Sequence, residues 1–116
     1  ADRIDYLVGG DIEAISAGSR GMVTINSTTG TLGLAMGLPV VVLGDAIYDM
    51  ADITFQGALD DFWQHPIPPD AETFAAWRRV LIERCLIPGG FFSDEALDKV
   101  VSHAIARFEG RPLAPE

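Results

Sequence analysis

Two short β-branched runs, Met22-Val23-Thr24-Ile25 and Val40-Val41-Val42-Leu43, bracket a stretch of small residues, and the polar turn Asn26-Ser27-Thr28-Thr29-Gly30 follows the first of them. The first run is short enough for a buried strand, and the second, with no polar interruption, fits a strand of a parallel sheet covered on both faces. Parallel strands need a crossover, here a helix over residues 31–36, and such connections are right-handed. The turn then lies where that helix begins, a place at which backbone N–H groups and hydroxyls stabilise an anion. The pattern predicts an α/β fold, a Rossmann-like parallel sheet flanked by helices, with a phosphate seat at residues 26–30.

Serine and threonine are also preferred helix caps whatever the ligand, so the same turn reads as a well-capped helix start. Three consecutive hydroxyl residues, Ser27, Thr28 and Thr29, exceed what one cap needs. The ends of the flanking strands also place the turn on the ligand-binding edge of an open α/β sheet. Both observations favour the anion site.

Gly33, Ala35 and Gly37 make the crossover helix poor by propensity, since each glycine costs about 1 kcal/mol against alanine. Close approach of the helix backbone to the sheet would offset that. Gly37-Leu38-Pro39 ends the helix before the second strand. Earlier in the chain, residues 3–8 read as a strand and residues 11–17 as a short helix capped by Asp11.

Beyond the second strand, residues 44–56 show no period and carry Asp45, Tyr48, Asp49 and Asp52. Residues 58–63 suit one or two helical turns, and His65-Pro66-Ile67-Pro68-Pro69 a stiff extended linker. Asp70 and Glu72 open a helix whose Phe74, Trp77, Leu81 and Cys85 face inward with Val80, and Pro88-Gly89-Gly90 stops it. Ser93 opens the last helix, with Leu97, Val100, Val101, Ala104, Ile105 and Phe108 as its apolar stripe and Arg107 and Gly110 at its end.

At 116 residues the chain suits a single domain, residues 1–116, able to bury roughly two-thirds of its unfolded surface. It opens on Ala-Asp-Arg and passes at once into an apolar run, which suggests the C-terminal part of a longer protein. Eight basic residues against seventeen acidic ones give a net charge of −9, and the one lysine is Lys99. Nothing in that balance neutralises a run of phosphates, so nucleic acid is not expected as a partner. The acidic residues fall mostly in expected first turns of helices and on a solvated surface.

The single cysteine, Cys85, excludes an internal disulfide framework and is expected as a small buried apolar residue. A reducing, cytoplasmic setting fits, and no run of about eighteen apolar residues predicts a membrane span. Two distant histidines and one cysteine give no metal-ligand set. Neither G-x-S-x-G nor Gly-Lys-Ser/Thr occurs at the turn, which argues against a serine hydrolase and a Walker-type ATPase. His65, in the linker, and His103, on the polar side of the last helix, read as surface residues. Trp63 and Trp77 read as core or interface anchors rather than sugar-stacking platforms.

Asn26-Ser27-Thr28-Thr29-Gly30, the run from Gly37 through Pro39-Val40-Val41-Val42-Leu43-Gly44-Asp45-Ala46-Ile47-Tyr48-Asp49, and Leu59-Asp60-Asp61-Phe62-Trp63 occur in an order with a family resemblance. Over about residues 11–92 the chain resembles the C-terminal part of bacterial capsule polysaccharide biosynthesis and export proteins. These look like CMP-Kdo-dependent glycosyltransferases of the two-domain GT-B type. The resemblance implies that Ser27, Thr28 and Gly30 hold the donor phosphate, and Thr29 belongs to the same seat by its place in the turn; Asn26, Gly44, Asp45 and Tyr48 are candidates for further donor or sugar contacts, and Asp45 and Asp49 with Tyr48 suit either a sugar hydroxyl or a divalent cation. The resemblance names no catalytic residue in this chain, and no cofactor beyond CMP-Kdo as donor substrate.

One phosphate suits a neutral seat of amides and hydroxyls without metal or lysine. Implied partners are the nucleotide-sugar donor, a lipid or saccharide acceptor and an N-terminal lobe of the same protein. Peripheral association with inner-membrane export machinery is also implied. The 116-residue piece by itself is expected to be inactive. The chain departs from the family pattern at Leu32, where a glutamate is usual, which bears on donor choice. The competing reading is a noncatalytic Rossmann-like module of the capsule export machinery.

Overall fold

Met22, Val23 and Thr24 pair in parallel with Val40, Val41 and Val42 in the computed structural model, which describes residues 3–87 and 89–112. In chain order the elements are α1 (Ile12–Ala17), β1 (Met22–Thr24), α2 (Thr29–Ala35), β2 (Val40–Val42), α3 (Leu59–Gln64), α4 (Ala71–Arg84) and α5 (Asp94–Phe108). The protein is a small α/β chain with a two-stranded parallel sheet among the described residues. It divides into two compact units, residues 1–75 and 76–116.

The first unit holds the sheet and the crossover. Val40 is fully buried, and Val41, Leu34, Ile53 and Phe62 are buried with it. A side chain on Gly33 would come within 2.9 Å of the Met22 methyl and 3.3 Å of Val40, so this glycine lets the α2 backbone settle against the strands. The helix ends as the sequence predicts. Gly37 takes φ +78°, its N–H bonds to Leu34, and the Leu38 N–H reaches back to Gly33, a Schellman closure.

Residues 3–8 are not the expected strand. Ile4, Tyr6 and Leu7 are exposed and Val8 is 94% exposed, because no neighbour among the described residues supplies the ladder that an apolar run needs to become a strand. β1 is not buried on both faces, since Val23 is 37% exposed, and among the described residues no strand pairs with its outer edge. Trp63, expected as a core or interface anchor, is not part of the core but exposed on α3.

α1 and α4 are capped by the residues the sequence points to. Asp11 accepts from the N–H groups of Glu13 and Ala14, and Asp70 accepts from both the N–H and the hydroxyl of Thr73. The inward face of α4 is shorter than its spacing predicts. Phe74 is buried and Trp77 and Leu81 half-buried, while Val80 and Cys85 are exposed, so Cys85 is not the buried apolar residue expected.

In the second unit Ser93 caps α5 through the Ala96 N–H, and Gly110 closes its far end at φ +70°. The buried side of α5 carries His103 and Ala106; Leu97, Val101, Ile105 and Phe108 of the expected apolar stripe are exposed, with Val100 and Ala104 half-buried. His103 is therefore not a surface residue. The helix turns a face rich in small and polar atoms inward, and Arg107 uses it to donate to the carbonyls of Arg84 and Leu86 at 2.6 and 2.8 Å. That clamp satisfies one acceptor at the last residue of α4 and one just past it. Pro88, the first residue of the expected helix stop, lies outside the described residues.

Candidate functional site

The turn at residues 26–30 leaves the C-terminal end of β1 and enters α2, as its sequence position requires. Its backbone is held by its own side chains. The Ser27 N–H donates to the Thr24 hydroxyl at 3.1 Å, and the Thr29 N–H donates to the Ser27 hydroxyl at 3.1 Å. The Gly30 N–H reaches the Ser27 carbonyl and the Thr31 N–H the Thr28 carbonyl, both at 3.0 Å, and the Thr31 hydroxyl adds a 2.6 Å bond to the same Thr28 oxygen.

The amides of Ser27, Thr29, Gly30 and Thr31 are thus already engaged. Among the described residues no partner meets the Thr28 N–H, the hydroxyls of Thr28 and Thr29, or the Asn26 side chain. Asn26, Ser27 and Thr28 are exposed, Thr29 is half-buried and Gly30 is buried. The turn therefore offers an incoming anion mainly hydroxyls and one amide, a narrower donor set than a free helix start would present.

The end of β2 is drawn to the same place. The Gly44 N–H bonds to the Ile25 carbonyl at 2.9 Å, and a Cβ on Gly44 would lie 3.0 Å from that oxygen, so Gly44 and the following Asp45 run directly beside the turn. Asp45 is exposed. Tyr48 is not: its ring packs on Gly30, where any Cβ would collide with the phenol, and its hydroxyl donates to the Ser27 carbonyl at 2.5 Å. Burial pushes the Tyr48 phenol above the ordinary tyrosine value, Asp49 adds to the rise, and the Thr24 hydroxyl opposes it.

Tyr48 thus supports the turn from beneath, with its oxygen turned toward protein. Sequence reasoning selected Tyr48 and Gly30 separately and missed their contact. The available signal was a glycine placed where a small helix start meets a long aperiodic loop. That loop is ordered by polar bonds: the Thr54 hydroxyl and the Gln56 carboxamide both donate to Asp49, and the Phe55 N–H pairs with the Val40 carbonyl.

A shallow cleft of about 340 Å³ opens on the other flank of the turn, with Thr24 and Thr29 on its lip and Ile12, Ile15, Met22 and Val23 among its walls. Among the described residues no three or more histidines, cysteines or carboxylates gather as a metal cluster, and no helix is long and apolar enough to cross a membrane.

Residues 1–92 match the profile of a family described as capsule polysaccharide biosynthesis protein. The chain belongs to that family. The match takes in the sheet, the turn and α4 and stops before α5. Among curated family relatives, the capsule polysaccharide modification protein LipB of Neisseria meningitidis serogroup A is 52% identical over 73 residues, 63% of this chain and 17% of LipB. LipB of serogroup B gives the same figures. The capsule polysaccharide export protein KpsS of Escherichia coli is 35% identical over 74 residues, 64% of this chain and 19% of KpsS. This capsule-family chain therefore spans under a fifth of the length of those relatives. No solved structure matches it.

Proposed function

We propose that this chain is the donor-binding part of a capsule polysaccharide glycosyltransferase, with the turn at residues 26–30 holding the single phosphate of CMP-Kdo. The observation that carries the reading is the rigid Ser27-Thr28-Thr29-Gly30 corner at the end of β1, backed by Tyr48 and left with unengaged hydroxyls and the Thr28 amide. Those donors suit one phosphate. The neighbouring cleft, walled by Ile12, Ile15 and Val23, gives the donor's rings an apolar resting place. Gly44 and Asp45, alongside Asn26, are the further contacts.

On this reading the turn stabilises the charge that develops on the leaving phosphate, and a facing N-terminal lobe brings the lipid or saccharide acceptor and the proton-transfer group. The complete protein then transfers Kdo to that acceptor in the cytoplasm, peripheral to the inner membrane and its export machinery. This piece would bind donor without turnover. Tyr48 acts as a positioning residue, since its hydroxyl is already spent on Ser27.

Two observations favour a second reading, a noncatalytic Rossmann-like module of the capsule machinery. The amides of Ser27, Thr29 and Gly30 in the turn, and of Thr31 after it, are satisfied internally, and Leu32 stands where the resemblance leads one to expect a glutamate. Titrating the folded chain with CMP separates the two. Donor binding predicts amide shifts at residues 26–30 that disappear in the Ser27→Ala/Thr28→Ala variant, whose fold should lose only about 1–2 kcal/mol. An unchanged spectrum at about 10 mM CMP, weaker than any useful affinity, would leave the module.

A further inference from the structure

At the opposite end of β1 from the turn, residues 19–21 and the end of α3 enclose a second cleft of about 390 Å³, lined by Ser19, Arg20, Gly21, Trp63, Gln64 and Pro66 over a floor of Phe62. That volume lies within the range of small-ligand sites, about 300–1,000 Å³. The cleft is built rather than incidental. A Cβ on Gly21 would stand 2.9 Å from the Phe62 ring, so the glycine lets the floor rise to the chain. Phe62 is buried and meets Phe55 edge-on at 5.3 Å and Trp63 edge-on at 5.9 Å, which fixes the base of the indole while 62% of Trp63 stays exposed.

An indole at the rim of a cleft offers a flat apolar face together with one N–H donor. The groups around it are polar. Arg20 makes no ion pair or hydrogen bond among the described residues, and neither does the Gln64 carboxamide. Within residues 1–75 the lysine and arginine positions are Arg3 and Arg20 alone, in a chain of net charge −9. One of the unit's two lysine or arginine positions thus lies beside the open face of Trp63.

We propose that this cleft binds an acidic saccharide: the apolar face of a sugar ring lies on Trp63, its carboxylate pairs with the Arg20 guanidinium, and a ring hydroxyl bonds to Gln64. A guanidinium recognises a carboxylate through paired N–H donors, giving orientation as well as attraction. The choice of a saccharide over an acidic peptide rests on the capsule reading above. The position does not, since the cleft and the turn share no residue.

The test titrates the folded 116-residue chain with hexagalacturonate, with neutral maltohexaose and with poly-L-glutamate, reading amide and indole N–H resonances. Hexagalacturonate should shift Arg20, Gln64 and the Trp63 indole and bind about tenfold more tightly than maltohexaose, a difference of about 1.4 kcal/mol. Arg20→Gln and Trp63→Leu, both at exposed positions, should each weaken it about tenfold with an unchanged melting temperature. Ser27→Ala/Thr28→Ala should leave it unaltered.

Equal binding of poly-L-glutamate at the cleft, shifts confined to other residues, or no shifts at about 10 mM sugar would overturn the proposal. Loss of CMP binding at the turn with retained hexagalacturonate shifts would remove the donor reading and leave the cleft standing; the reverse pattern would do the opposite.

Discussion

The Tyr48 hydroxyl hydrogen-bonds the Ser27 carbonyl across 21 positions of sequence, tying the loop after β2 to the corner after β1. Removing that donor while keeping the ring should loosen the corner without emptying the core. Tyr48→Phe is expected to cost about 1 kcal/mol, the ordinary net worth of one such bond, measured as a fall in the denaturant midpoint with an unchanged slope.

Gly30 gives way to the same ring. An alanine there would overlap the Tyr48 phenol, so Gly30→Ala should destabilise by about 1–3 kcal/mol, as overpacked sites do. The cause is specific to the pair. In a Tyr48→Ala background the added methyl has room, and a double-mutant cycle should return a coupling of about 1 kcal/mol or more; additive effects would place the strain elsewhere.

Because the Tyr48 pKa is raised in the fold, the protonated phenol is the form that folding favours. Its contribution is complete below the unfolded tyrosine value of about 10 and is lost as pH climbs through the higher folded value, where a phenolate can no longer donate to Ser27. In a Tyr6→Phe variant, which leaves one phenol, alkaline absorbance should titrate above that value and move back toward it in denaturant.

Asp70 runs the other way. Its bonds from the Thr73 hydroxyl and N–H hold the carboxyl below its ordinary value, so the cap contributes above the unfolded pKa and is lost as pH falls through the folded one. Asp70→Asn should lower the melting temperature at neutral pH and flatten its decline in acid. A carboxyl resonance of Asp70 titrating at or above the unfolded value would contradict this.

Arg107 bridges the carbonyls of Arg84, the last residue of α4, and Leu86 beyond it. Arg107→Gln shortens that reach, and amide exchange around residues 84–87 should quicken while the sheet amides of β2 stay protected. Charge-assisted bonds of this kind are worth about 1.5–3 kcal/mol. Uniform acceleration throughout the chain would show a global rather than a local loss.

What could be read in advance were the features set by neighbours in sequence. Asp11, Asp70 and Ser93 cap helices because a short polar side chain reaches N–H groups two or three residues on, and Gly37 ends α2 because its positive φ needs no distant partner. The parallel pairing of Val40-Val41-Val42 with β1 followed from two β-branched runs joined by a helix-length segment. The failures needed tertiary knowledge. Residues 3–8 carry strand residues yet find no ladder, and the apolar spacing of α5 matched a face that is exposed while His103 is buried. Within the candidate site, the position of the turn was legible, whereas the internal use of its amides and the support from Tyr48 depended on a loop without period.

The outer edge of β1, which pairs with no strand among the described residues, leaves peptide groups aligned like the exposed teeth of a zip. Such a row recruits any extended polypeptide that drifts alongside. Kept as an isolated piece at high concentration, the chain would meet its own copies first and thicken into oligomers, so stretches of sequence that shield this flank would govern its solubility as much as its shape.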